Sequence, residues 1–594
     1  MMRIFSVKNI HWFIILILGV SPFKVKGQEK PNIIVVIIDD AGYADWGFQD
    51  VLGVTGSEVI QTPQIDQLKT EGVYFSQAYV TSSVCGPSRA GLITGRYGNR
   101  FGSEFNPTSN LAPGRTVDDI GLEPDELTIA DHLKPLGYNT AAIGKWHLGE
   151  TDAHHPNNRG FDYFYGLLSG SRPYFHTADL ASDDVLMRNQ VVDDLTEGYM
   201  TDVLTDDALV WMKDQSDIEK PFFTYLSYTA VHSPYQSKEE DFVLFNDCIG
   251  INGDPCIEDR QDYAAMTYSL DYNIGKLVDS LKSWDIYDNT LLFFFNDNGG
   301  KDAGTITNNR PLRGQKSDPY EGGLRVPFFM VWPGHLPLDT VYTRQVISLD
   351  IAATAIKAAG GNLPTEKPLD GVDLVAAASD TNIIAHKYLF WRKFYNYSVM
   401  KKEEHKILID HHRSIDVSDN DTLYFVLKPD GSGEGGKWSD DRKNINNKDR
   451  DPVVDEIIHA YEQWESDLVL PYWLGGVLIR TACGDTAISD CQFINEAYGL
   501  TSTDKEACLP GNGKYGIFPN SLPSSQNMII KLPDDTGALL NLWDISGRLC
   551  TEQQVYNNQN LSPAEVGLEQ GLYIYRLTAN LNKIPIFSDK LLVQ

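Results

Sequence analysis

Two pairs of neighbouring oxygen-bearing side chains each stand at the end of an apolar run. In IIDDAGYADWG they are Asp39 and Asp40; in FFFNDNGG, far downstream, they are Asp297 and Asn298. Adjacent carboxylates repel one another, and a divalent cation would remove that cost. Asp and Asn present only oxygen, which suits a hard ion such as Ca²⁺ or Mg²⁺ and not zinc, since both pairs lack His and Cys. Either pair alone would equally shape an ordinary turn. The two together point to a metal site.

Between them lies SSVCGPSRAGLITGR, which sets Cys85 before a proline, a serine and Arg89 at the start of a helical pattern. GKWHLG places Lys145 and His147 two apart, on one side of an extended segment. TAVHSPY carries His232, and LRGQKSDPYEGGLRVP carries Arg313, Lys316 and Arg325. A single His or Lys is commonly filler. Several such groups, each beyond a strand-like run, would form a positive pocket for an anion in a chain whose formal net charge is −31. That acidic balance argues against nucleic acid as a partner and fits a salty exterior.

The elements that must position these residues follow from hydrophobic patterning. PNIIVVIIDD reads as a buried strand, because six consecutive β-branched residues precede the acidic pair. TPQIDQLKTEGVYFSQAYV and TIADHLKPLGYNTAAIGKWHLG each read as helix, glycine, strand. PFFTYLSYTAVHSP is another apolar strand, and the helix YAAMTYSLDYNIGKLVDSLKSW feeds the strand NTLLFFFNDNGG. This alternation predicts an α/β fold with a mostly parallel central sheet over 28–384. Such sheets place ligands past the carboxyl ends of their strands, where every residue above falls. Over 385–480 the short strands KYLFWRK, HKILIDHH and TLYFVLKP and the helix DPVVDEIIHAYEQWESDL predict a smaller α+β subdomain, with DGSGEGGKWSDDRKNINNKDRD as a polar loop. Residues 481–594, with short alternating strands between turn residues, predict an all-β, sandwich-like tail.

Residues 1–27 carry Arg3, Lys8, the apolar run IHWFIILILGV and a polar stretch ending VKG, the pattern of a secretory signal cleaved after Gly27. The run falls short of the roughly 20 apolar residues of a membrane anchor. Exported chains normally pair their cysteines. Cys248 and Cys256 flank a short loop, and Cys483, Cys491, Cys508 and Cys550 lie near the end, so six can pair and Cys85 is left over. A free thiol outside the cell is a liability, and the chemical state of Cys85 needs a reason.

CGPSRAGLITGR resembles the C-x-P-S-R signature of the type I, formylglycine-dependent sulfatases, with Ile93 standing beside Leu92 before Thr-Gly. DDAGYADWG, GKWHLG, HSPY, NDNGG and GQKSDPYEGGLRVP are similar to segments of the same family in the same order, from Pro31 to Leu470. The resemblance implies an alkaline phosphatase-like sulfatase fold, with a four-stranded sheet in the small subdomain. It implies that a formylglycine-generating enzyme oxidises Cys85, and that the hydrated aldehyde is the nucleophile. A thiolate would be trapped as a stable adduct, whereas a gem-diol expels sulfate by re-forming its carbonyl. The resemblance further implies that Asp39, Asp40, Asp297, Asn298 and the modified Cys85 hold one Ca²⁺. By the same likeness Arg89 supports the formylglycine, Lys145 and Lys316 hold sulfate oxygens, His232 protonates the leaving oxygen and His147 acts as base when the hemiacetal collapses. Pro87 and Ser88 would serve recognition by the modifying enzyme.

The tail, with GIFPNSL, LWDISGRLC, GLYIYRL and DKLLV, resembles the C-terminal sorting domain of type IX-secreted Bacteroidetes proteins, which implies that secretion machinery as a partner. The combined expectation is a secreted or cell-surface sulfatase acting on a sulfated polysaccharide or oligosaccharide, with marine algal polymers such as ulvan or carrageenan as the class. The alternatives are a phosphatase or phosphonate monoester hydrolase of the same superfamily, or a non-catalytic glycan-binding surface protein. Specificity is expected in HHPNNRGFDYFYGLLSGSRPYF and TITNNRPLRGQK, with His154, His155, Arg172 and Arg310 as sugar or carboxylate contacts.

Overall fold

The structure, a computed structural model, describes residues 30–49, 60–109, 111–112, 115–175, 185–193, 197–394, 396–410, 421–432, 434, 443–444 and 452–473, and eight strands between 516 and 593. The expected signal segment, Cys483, Cys491, Cys508 and the side chain of Cys550 lie outside the described residues. Cys248 and Cys256 form a disulfide, and Cys85 is a free, buried cysteine.

Ten strands form the main sheet: β1 (Asn32–Ile38), β2 (Val73–Tyr79), β3 (Asn139–Lys145), β4 (Tyr163–Leu167), β5 (Met187–Arg188), β6 (Val191–Val192), β7 (Phe222–Ser227), β8 (Thr290–Asn296), β9 (Phe328–Val331) and β10 (Thr340–Ile347). They lie in the order β10-β2-β9-β8-β1-β7-β3-β4-β5-β6. β1 runs parallel to β7 on one side and to β8 on the other, and β7 to β3. β9 is antiparallel to both of its neighbours, as are the short edge strands β5 and β6 to theirs.

The reason β1 is central lies in its sequence. Side chains alternate across a strand, so NIIVVII sends Ile33, Val35 and Ile37 into one apolar layer and Ile34, Val36 and Ile38 into the other. The first layer is closed by the helix Asp350–Ala358, the second by Met200–Asp217 and Glu258–Ser283. The result is the predicted α/β fold. The C-terminal subdomain is an antiparallel sheet of β11 (Leu389–Lys393), β12 (Tyr397–Lys402), β13 (His405–Asp410), β14 (Asp421–Val426) and β15 (Lys443–Asn444), in that order. Five strands stand where four were expected, the fifth only two residues long. The helix Pro452–Glu465 packs Val454, Ile457, Tyr461 and Trp464 into a core that also takes in Tyr79, Leu324 and Ile347 of the main domain. The tail forms sheets of three and five strands.

Candidate active site

Parallel pairing of β1 with β8 delivers the residues that follow each strand to the same place. Asp297 N–H donates to the Ile38 carbonyl at 2.9 Å and Asp39 N–H to the Ala230 carbonyl at 2.9 Å, so the ends of β1, β7 and β8 stay joined beyond the strands themselves. Asp39, Asp40, Asp297 and Asn298 are all buried there. Asp40 has φ of 58°, a left-handed conformation that aspartate tolerates better than most side chains. Its N–H donates to Asp297 Oδ1 at 3.2 Å, and Asn298 Nδ2 donates to Asp40 Oδ1 at 2.8 Å.

Cys85 opens the helix Cys85–Thr94, every residue of which is buried. Its sulfur lies 3.5 Å from Asp39 Oδ1 and 3.9 Å from Asp40 Oδ1. Gly86 N–H donates to Asn106 Oδ1 at 2.8 Å, and a Cβ at Gly86 would stand 2.7 Å from Pro107 Cδ, so glycine permits that close approach. One turn on, Arg89 Nη2 donates to Asp297 Oδ2 at 2.8 Å and lies 3.5 Å from Asp39 Oδ2. Its Nη1 donates to Ser227 Oγ. One guanidinium thus ties the helix to the ends of β1, β7 and β8.

Lys145, the last residue of β3, donates to Asp39 Oδ2 at 2.6 Å, and Lys316 donates to Asp40 Oδ2 at 2.8 Å. The loop bearing Lys316 is held by Lys316 N–H on the Gly300 carbonyl at 3.1 Å and Ser317 N–H on the Ser83 carbonyl at 2.8 Å. His232 Nε2 lies 3.4 Å from Asp40 Oδ2. Its Nδ1 is 2.6 Å from the Ser233 carbonyl, which only accepts, so Nδ1 carries a proton and Nε2 faces the site.

These contacts set the protonation states. Burial pushes the Asp39 and Asp40 carboxyls up, but the cations overrule it, Lys145 first for Asp39 and Lys316 first for Asp40, and both titrate below the ordinary range. Asp297 is pushed up to about 6 by burial and the charge of Asp39, against Arg89. Burial would lower Lys316, yet Cys85, Asp40 and Asp39 hold it well above the usual lysine value. Burial raises the Cys85 thiol far above its usual range, with Lys145 and Lys316 opposing. His147, at φ of 56°, is held neutral by burial and by Lys145 and Arg89. Burial also lowers His232, while Asp39 and Asp40 pull the other way.

Of the residues singled out in the sequence, Asp39, Asp40, Cys85, Arg89, Lys145, His232, Asp297, Asn298 and Lys316 meet in this one cluster. His147 lies within reach of its charges, its ring against Gly170. His154 does not join them. Its ring nitrogens are each 3.0 Å from a carbonyl, of Leu122 and Asp118, in the interior. His155 accepts from Asn157 N–H at 3.2 Å and meets Phe164 edge to face. Both expectations of a sugar contact are corrected, since these rings brace loops. Arg172 is buried as well, and Arg310 donates to the Ile251 carbonyl at 3.0 Å and Asn252 Oδ1 at 2.9 Å, within the disulfide loop. Sequence reading missed Ser227, Asn106 and Tyr174, whose hydroxyl lies 2.6 Å from the Thr229 carbonyl and 2.9 Å from that of His232. Ser227 alone left a sign, as the polar end of FFTYLS.

The residues fit a hard divalent cation. Donor atoms of Asp39, Asp40, Cys85 and His232 lie within 4.8 Å of one another. Asn298 Oδ1 is a buried acceptor with no donor among the described residues, which costs about 1–3 kcal/mol if nothing takes it up. Three carboxylates, Asp39, Asp40 and Asp297, face the three cations Arg89, Lys145 and Lys316, so an anion entering the cluster arrives unmatched unless further positive charge comes with it.

The sulfatase family profile matches residues 31–361. The chain belongs to the sulfatase family. An uncharacterised sulfatase, YdeN of Escherichia coli K12, is 31% identical over 421 residues, covering 64% of this chain and 71% of that protein. The N-acetylgalactosamine-6-sulfatase of Sus scrofa is 28% identical over 400 residues, 64% and 72% of the two. Among solved structures, Ps i-CgsB in complex with k-i-k-neocarrahexaose aligns with a TM-score of 0.65 and 31% identity over 80% of this chain and 99% of that one. This sulfatase is therefore a sulfuric ester hydrolase, and its buried cluster at the carboxyl ends of β1, β3, β7 and β8 is its candidate active site.

Proposed function

We propose that this sulfatase is an exported enzyme that removes sulfate esters from a sulfated poly- or oligosaccharide of the carrageenan type, using a formylglycine made from Cys85 and one Ca²⁺. The observation that carries the reading is the position of Cys85, its sulfur 3.5 Å and 3.9 Å from two carboxylates that Lys145 and Lys316 also touch. The substrate class is supported by the 31% likeness, over nearly all of that chain, to a protein solved with a neocarrahexaose.

Asp39, Asp40, Asp297 and Asn298 would hold the cation, which supplies charge neutralisation on the sulfate and on the oxidised residue 85. The chain's own groups do the rest. Lys145 and Lys316 can turn from the carboxylates to sulfate oxygens and stabilise the charge that grows in the transition state. His232 keeps Nδ1–H on the Ser233 carbonyl, which aims Nε2 into the cluster, where a proton held on that atom goes to the leaving sugar oxygen. His147, neutral in its surroundings, is the base for product release. Arg89 positions the helix and Asp297.

In the same reading residues 1–27 are the export signal, 28–384 and 385–480 make up the enzyme, and 481–594 is the sorting domain read by type IX secretion machinery. The test combines peptide mass at Cys85 with sulfate release from carrageenan, ulvan and glycosaminoglycan oligosaccharides, beside 4-nitrophenyl sulfate and phosphate. Formylglycine at position 85 and sulfate from a carrageenan oligosaccharide are the expected results. Fully converted protein that cleaves the phosphate faster, or releases no sulfate from any of these, would sink the proposal.

A further inference from the structure

One cation among the segments that neighbour the site comes from the other domain. Lys393 ends β11 in the C-terminal subdomain, beside segments that flank Cys85 and Lys316. Its ammonium lies 5.8 Å from the centre of the Phe105 ring, and the next two residues, Asn106 and Pro107, close over Gly86. Its cross-strand partner Tyr397 places its hydroxyl 3.0 Å from Ser83 Oγ, two residues before Cys85. The carboxylate whose charge reaches it is Asp318, two residues past Lys316.

The backbone that presents Lys393 is fixed from both sides. Arg392 Nε donates to Glu104 Oε1 at 3.2 Å and Phe394 N–H to Glu104 Oε2 at 2.7 Å, while Asn99 Nδ2 donates to the Arg392 carbonyl at 2.9 Å. Neighbouring side chains of a strand point to opposite faces. The lock that turns Arg392 toward Glu104 therefore turns Lys393 the other way, toward Phe105 and Asp318.

Among the described residues, the Lys393 ammonium makes neither a hydrogen bond nor an ion pair, in contrast to those of Lys145 and Lys316. Burial draws its pKa below the ordinary lysine value, with only Asp318 opposing. A half-buried cation whose charge no hydrogen bond or ion pair meets is costly, and a ligand that brings the missing charge relieves that cost.

We propose that Lys393 receives a second anionic group of the substrate, a sulfate or carboxylate on the sugar that bears the scissile ester or on its neighbour, and so selects polyanionic glycans over singly charged esters. This rests on the sulfatase reading above and adds a specificity residue supplied by the C-terminal subdomain. The contact lies away from the reacting atoms.

Two variants separate charge from packing. Lys393→Met keeps a stem against Phe105 without the charge, and Lys393→Arg keeps the charge. With a multiply sulfated neocarrahexaose as substrate, Lys393→Met is expected to raise KM about tenfold, the scale of a charged hydrogen bond, and to flatten its salt dependence. Turnover of 4-nitrophenyl sulfate should change little, and Lys393→Arg should recover most of the loss. An equal loss on both substrates, or none on the hexaose, overturns the proposal. Should the unaltered enzyme release sulfate from neither compound, the catalytic reading fails and calorimetry decides the contact by itself. About tenfold weaker binding of the sulfated hexaose by Lys393→Met, with a desulfated hexaose unaffected, supports it; unchanged binding overturns it.

Discussion

The active-site cluster differs instructively from a second buried group of charges at the junction with the C-terminal subdomain. There Lys406 Nζ lies 3.0 Å from Glu321 Oε1 and 2.7 Å from Glu434 Oε1, Glu321 N–H donates to Glu434 Oε2 at 2.7 Å, and the Tyr79 hydroxyl donates to Glu321 Oε2 at 2.7 Å. The side chains of Lys406, Glu321 and Glu434 are at most 1% exposed. Around Asp39 and Asp40 the charges are as tightly packed, but Lys316 and His232 keep 13% and 17% exposure. One group is closed and joins two domains; the other is open. Buried charge alone does not mark a catalytic site; here it is the opening at Lys316 and His232 that sets the first cluster apart.

The comparison breaks most sharply at Cys85. Cys85→Ala should lower kcat/KM about 10⁴-fold or more, as removal of a nucleophile does, with a Tm close to that of the parent protein. Activity that survived would end the case for the open cluster. Lys406→Met tests the closed one. It leaves Glu434 buried without its counter-ion and Glu321 with only Arg325 at 3.9 Å, an expected loss of about 3–5 kcal/mol in denaturant unfolding, with kcat per folded molecule unchanged. A fall in kcat at unaltered stability would erase the distinction.

His232→Ala should slow release from a sugar ester about 100-fold and from an activated aryl sulfate much less; equal losses would remove it as the acid. The smallest effect concerns His386, whose Nε2 lies 2.7 Å from Asp350 Oδ1. Burial lowers its pKa, but Asp350 more than compensates, so the folded value is raised. Its contribution to stability is therefore full below the unfolded value near 6.5 and fades as pH rises through the folded one. The Tm of the parent should fall by a few degrees across that window relative to His386→Gln, and parallel profiles would contradict the pairing.

What the sequence made legible was local. A run of β-branched residues ending in Asp-Asp, and another ending in Asn-Asp-Asn, mark strand ends whatever the topology. Their meeting could be expected only from the family likeness, because nothing in either segment says that β1 lies between β7 and β8. The Arg89 to Ser227 contact was hidden for the same reason. YSVMKK, which became β12, escaped notice because it lacks an apolar run and owes its state to pairing on both sides. His154 misled in the opposite direction, since a histidine in a polar loop gives no sign that both its nitrogens are taken by carbonyls. Glu434 did the same, a carboxylate in a stretch read as loose loop that is 1% exposed beneath Lys406.

The depth of the helix Cys85–Thr94 has a consequence for how the protein is made. Cys85 is 1% exposed and the nine residues after it are covered too, so the finished fold offers another enzyme no strip of chain to grip. If residue 85 is converted as proposed, the conversion must come first and folding second. A polypeptide that reached its compact form unconverted would be a well-built, permanently silent twin of the working one.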